Sequence, residues 1–105
     1  MSGGKQWAPE WKTTYGPQRE CKRDVYWAGF EDDSNNTVRV RITAQELKEF
    51  GKAPDALEER CEHTEHVLRA ILESYVREHG IPAGQIDARD LGEHLPALRG
   101  KFAKQ

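Results

Sequence analysis

Long apolar runs are missing from this chain. No stretch approaches the ~18 apolar residues of a membrane-spanning helix, and the opening Ser2-Gly3-Gly4-Lys5-Gln6 is polar, so neither a span nor a secretory signal is expected. Cysteine is scarce: Cys21 and Cys61 are the two thiols in 105 residues. They do not make a disulfide framework, and a reducing, cytoplasmic setting is the expectation. A dominant charge is missing too. The formal net charge is −2, which by itself indicates neither a nucleic-acid coat nor a membrane-surface protein. Apolar residues make up 36% of the chain and charged ones 32%. That supports one modest core in a chain of single-domain length.

The charges are unevenly placed. Lys5, Lys12, Arg19, Lys22 and Arg23 face only Glu10 and Glu20 in residues 1–23, while residues 24–98 hold eight basic and sixteen acidic side chains. Residues 1–23 read as an irregular arm, broken by Gly3-Gly4, Pro9 and Gly16-Pro17. The arm carries Trp7, Trp11 and Tyr15, spaced by four, as an aromatic patch for a partner or as a cover for the body.

Residues 24–105 read as one α+β domain. Val25–Phe30 and Thr37–Ile42 are β-rich and flank the polar turn Glu31–Asn36, which predicts a hairpin. In the second strand Val38, Val40 and Ile42 alternate with Thr37, Arg39 and Arg41, so one face is buried and the other wet. Thr43-Ala44-Gln45-Glu46 is a capping box opening a short helix that Gly51 stops. A second cap at Asp55 opens a long helix to about His79, ended by Gly80 and Pro82. Its predicted apolar stripe is Leu57, Cys61, Thr64, Leu68, Ile71, Leu72, Tyr75 and Val76. Gln85-Ile86 predicts a short third strand, and Leu91, Leu95, Leu98 and Phe102 a weaker helix interrupted by Pro96. The expected fold is a small antiparallel sheet packed on the long helix, with short helices flanking it. Its expected core is Trp27, Val38, Val40, Ile42, Leu47, Phe50, Leu57, Cys61, Leu68, Ile71, Leu72 and Tyr75.

Catalytic chemistry finds little support. Cys61, His63 and His66 invite a metal, but on a helix His63 lies about 160° or more round the axis from Cys61, so the two cannot share an ion. The Glu31–Asn36 turn is rich in oxygen ligands yet lacks the calcium-loop glycine and glutamate. Cys61 is flanked by Glu58, Glu62 and Glu65, which oppose a thiolate; Cys21 has Lys22 and Arg23 beside it but no neighbouring histidine. No phosphate loop, dinucleotide fingerprint or nucleophile elbow occurs. No enzyme, metal or cofactor is therefore expected.

Two binding readings follow. The first is a small interaction or regulatory module for another protein, a second copy of the chain included, acting through Trp7, Trp11 and Tyr15 or through an exposed sheet edge. The second is single-stranded nucleic acid on the wet sheet face, through Tyr26, Arg39 and Arg41 with Trp27 adjoining. The excess of eight acids over residues 24–98 opposes the second.

From Asp24 to Leu91 the order of features resembles the DUF1488-like family of small bacterial proteins. The resemblance rests on Val25-Tyr26-Trp27-Ala28-Gly29-Phe30, Val38-Arg39-Val40-Arg41-Ile42, Thr43-Ala44-Gln45-Glu46-Leu47, Phe50-Gly51 and Gln85-Ile86-Asp87-Ala88-Arg89-Asp90-Leu91, with the long helix between. It implies the same α+β architecture. It brings no activity, cofactor or catalytic residue.

Overall fold

The hairpin predicted on either side of the Glu31–Asn36 turn forms the middle of a four-stranded sheet. A computed structural model describes residues 10–20, 24–52 and 54–103. The elements in chain order are β1 (Lys12–Arg19), β2 (Val25–Glu31), β3 (Thr37–Thr43), α1 (Ala44–Lys48), α2 (Leu57–His79), β4 (Gly84–Asp87) and α3 (His94–Ala103), with a 3-10 turn over Ala88–Leu91. The fold is α+β.

Strand order is β1-β2-β3-β4. The first three strands are antiparallel, and β4 pairs parallel with β3. A parallel neighbour needs a crossover, and α2 supplies it between β3 and β4. At the hairpin tip Asp32 accepts from the Ser34 amide at 2.9 Å, the Asn36 amide at 2.8 Å and the Asn36 side-chain amide at 2.9 Å. The Asn36 side-chain bond is the main influence holding the Asp32 carboxyl below its ordinary range; burial opposes it. Asn35 takes the left-handed conformation, φ 65°, that the tight turn requires.

The capping box forms as expected: the Glu46 amide donates to Thr43 Oγ1, and Glu46 Oε1 accepts from the Thr43 amide, both at 3.0 Å. Gly80, at φ 82°, closes α2. The opening of α2 departs from expectation. Its N-cap is Ala56, and no side chain caps it.

One face of the sheet packs on α2. Ala28, Phe30, Val38, Val40, Ile42 and Ile86 meet Val67, Leu68, Ile71 and Leu72, all buried. The end of the core is closed by Leu91, Leu95 and Leu98, and by Phe102 stacked on Phe50 at 5.2 Å. Leu57 and Cys61, expected in this core, are exposed. The first turns of α2 face α1 and the near ends of β1 and β2 across an open groove, so the apolar stripe becomes buried only from Thr64 onward. Leu47 and Tyr75 are half-buried at the margin of the core.

The largest correction concerns the arm. Lys12–Arg19 is not irregular but is an edge strand, β1, paired with β2. Its pairing shifts between Thr13 and Tyr15 and again between Tyr15 and Gln18. Thr13 faces α2, where its hydroxyl donates to Glu65 Oε2 at 2.8 Å, whereas Tyr15 emerges on the opposite side of the sheet. One extra residue in a strand reverses the side-chain alternation, and Thr14 is that residue. Trp11, just before the strand, is 3% exposed. Its carbonyl accepts from the Arg69 guanidinium, which also donates to Thr13 Oγ1 at 2.6 Å and lies over the Phe30 ring. The edge strand is thus tied to the middle of α2. Trp7 lies outside the described residues.

Candidate functional site

All the helices among the described residues lie on one side of the sheet or at its ends, leaving the face opposite α2 open. Its centre is built from three strands. Trp27 on β2 stands opposite Arg41 in the register, and Gly29 stands opposite both Arg39 and Tyr15. Arg39 extends its guanidinium over the Trp27 ring, 4.2 Å from the centroid. Tyr15 approaches Trp27 from β1, with ring centroids 6.0 Å apart and planes tilted by 56°. The geometry suits both the edge-to-face preference of aromatic pairs and the attraction of a cation to an indole face.

Gly29 gives the cluster room. A Cβ there would sit 3.0 Å from Tyr15 Cδ2 and 3.2 Å from Thr14 Oγ1, a tight fit that would push the Tyr15 ring aside by a few tenths of an ångström. The missing side chain is the space across which the Tyr15 ring lies. Tyr15 nonetheless stays 61% exposed. Beside the cluster, Arg41 is held by two carboxylates: its Nε donates to Asp87 at 2.8 Å and its Nη1 to Glu20 at 3.2 Å. Its charge is satisfied within the fold.

These positions rearrange the candidates. Tyr15 and Arg39, expected in separate sites, come together on one face. Trp27, expected in the core, is their half-buried partner. Tyr26 is not on that face: it pairs with Ile42 in the register and packs against the core. Trp11 is withdrawn from partner binding by its burial. The alternation of β2 could not settle this beforehand, because Tyr26, Ala28 and Phe30 on one side are as apolar as Val25 and Trp27 on the other.

The sheet edges are poor templates for a further strand. β1 carries two pairing irregularities and Pro17, and β4 is four residues long. Bulges, proline and short edges are the features that block strand addition.

Comparison with family models, curated proteins and solved structures yields no match. The DUF1488-like resemblance is neither supported nor contradicted by it.

The remaining polar clusters are modest. Among the described residues no three His, Cys, Asp or Glu side chains are grouped to hold an ion. His63 and His66 lie on the exposed side of α2 among Glu59, Glu62, Glu65 and Arg69. Partial burial, reinforced by the neighbouring His66, pushes the His63 imidazole below its ordinary pKa, and its buried Nε2 has no hydrogen-bond partner. Asp32 uses its oxygens within its own turn. Cys61 is exposed on α2, and Cys21 lies outside the described residues.

Proposed function

We propose that this chain is a non-catalytic interaction module that binds another protein through the open face of its sheet. The observation that carries the reading is the Tyr15–Trp27–Arg39 cluster, assembled from three strands on a face that no helix among the described residues covers. Tyrosine, tryptophan and arginine are the residue types that supply most of the energy at protein interfaces. They do so because a large, stiff, amphipathic surface orders little entropy on binding. The partner's contribution would be an apolar or aromatic side chain against Tyr15 and Trp27, with a carboxylate for Arg39. The blunted edges favour recognition by the face over strand addition. The scarcity of cysteine supports a reducing, cytoplasmic setting, and the feature order from Asp24 to Leu91 supports a relation to the DUF1488-like proteins.

The test is retention of partners from a nuclease-treated lysate of the source cells on immobilised protein. Wild type should retain a specific protein, and Trp27→Ala should lose it while keeping its circular dichroism spectrum. Retention indifferent to Trp27→Ala would refute the reading. Sedimentation of the purified chain tests whether the partner is a second copy.

The stacked Arg39 and Trp27 also favour a second reading, single-stranded nucleic acid on the same face. Against it stand the satisfied charge of Arg41, the position of Tyr26 on the other face and the acidic balance of the body. That reading requires retardation of RNA or single-stranded DNA that weakens with salt and is lost in Arg39→Glu.

A further inference from the structure

A groove opens on the helical side of the sheet, at the end farthest from the hairpin tip, between β1, β2, α1 and the first turns of α2. Its volume is about 580 Å³. Apolar surface dominates the walls, which include Pro17, Tyr26, Ala44, Leu47 and Leu57. Leu57 is 70% exposed, an apolar side chain left in water at the mouth of an apolar cleft. A space of this size and character matches a small organic ligand.

The rim has one sign of charge. Arg19, Lys48, Lys52 and Arg60 line it, and among the described residues no acidic side chain does. Arg19 is paired with Asp24. Lys48, Lys52 and Arg60 form no ion pair with any carboxylate among the described residues; the Arg60 guanidinium donates to the Asp55 carbonyl at 3.2 Å. The three come from α1, from the connection after it and from α2. The first turns of α2 line the same groove, but Glu58 and Glu59 offset the positive end of that helix, so the attraction for an anion comes from the three side chains. In a body with sixteen acids to eight bases over residues 24–98, three unneutralised cations around one apolar cleft are a local reversal of sign.

We propose that this groove binds a small amphipathic anion, an acyl or aryl chain with a carboxylate or phosphate head. The chain would lie against Tyr26, Leu47 and Leu57, and the head would sit among Lys48, Lys52 and Arg60. A neutral chain forgoes the head-group attraction, and a cationic amphiphile meets repulsion.

Cys61 gives the test a reporter, since its exposed thiol is part of the groove wall. In full-length Cys21→Ser protein, Cys61 is the single thiol. Its rate of alkylation by a maleimide is measured with decanoate, decanol and decyltrimethylammonium, each kept below its micellar concentration. At about ten times its dissociation constant, decanoate should slow alkylation by about tenfold, since only unoccupied protein reacts. Decyltrimethylammonium should not slow it. The decanoate effect should vanish in Lys48→Glu/Lys52→Glu, with the ratio taken within each variant so that a changed thiol reactivity cancels. Lys52→Glu alone, outside any helix, should weaken it if the double variant does not fold. Equal protection by the cationic amphiphile, undiminished protection in the lysine variants, or no protection by decanoate would overturn the proposal. The Trp27→Ala protein should protect normally, which separates this site from the open face.

Discussion

Replacing Trp11 by alanine tests whether the segment before β1 belongs to the fold. The indole is 3% exposed and sits where the Arg69 guanidinium reaches the Trp11 carbonyl. A tryptophan buries about 200 Å² or more, which at about 25 cal/mol per Å² corresponds to ~5 kcal/mol. That figure is an upper bound, because an unfolded chain already shields part of the ring. Truncations of buried aromatics cost about 3–5 kcal/mol, and ~4 kcal/mol is the expected loss here. The backbone bond to Arg69 survives the substitution, so the loss reports the ring. The comparison is Tyr15→Ala, four residues on but 61% exposed across the bulge. It removes an aromatic contact and little buried area, for a loss of at most about 1.5 kcal/mol. Urea denaturation followed by far-ultraviolet circular dichroism measures both. With a slope of about 2 kcal/mol per molar, Trp11→Ala should lower the midpoint by ~2 M, against under ~1 M for Tyr15→Ala. Equal midpoints for the two variants, or a Trp11→Ala loss under about 1 kcal/mol, would mean that the segment is an appendage.

Two further expectations follow from the core and from α2. Leu68 is fully buried against the sheet, so Leu68→Ala should cost about 2–5 kcal/mol in the same denaturation experiment, and a loss near zero would put that face of α2 in water. His63 binds its proton less readily in the folded chain than in the unfolded one, so stability should fall as pH drops through the ordinary histidine range, and His63→Gln should flatten the fall in Tm between about pH 7 and pH 5. Parallel Tm curves for wild type and His63→Gln would refute that assignment.

The parts legible in the sequence were those fixed by local rules. Thr43 and Glu46 three residues apart in a box, Gly80 before Pro82, and the strict alternation from Thr37 to Ile42 each specify a geometry that neighbouring residues can satisfy by themselves. The long helix was legible from its period, yet its first turns were not placed correctly. Leu57 and Cys61 continue the stripe, but periodicity says which side of a helix is apolar and not how far the sheet extends beneath it. β1 was illegible for a related reason. Gly16-Pro17 and the bulge at Thr14 erase any alternation, and the strand is held by distant groups, Glu65 and Arg69, that sequence spacing does not bring near. The candidate site depended on that same strand. Tyr15 lies across the bare Gly29 to reach Trp27, and the pairing of Gly29 with Tyr15 is a tertiary fact.

Adjacent residues of β2 serve the two proposed surfaces. Tyr26 lines the groove on the helical side, and Trp27 anchors the open face. Strand alternation sends consecutive side chains to opposite faces, and Ala28 and Phe30, both buried, lock that phase against slippage by one residue. A slip would exchange the two sites and expel Phe30 from the core, which the burial of that ring forbids energetically. The surfaces are therefore geometrically linked and chemically independent: one offers an aromatic–arginine cluster beside a neutralised Arg41, the other an apolar cleft ringed by unneutralised cations. A substitution that keeps the backbone of β2, such as Trp27→Ala, alters one recognition surface alone. The two proposed functions should accordingly be separable by substitution, which a single shared pocket would not permit.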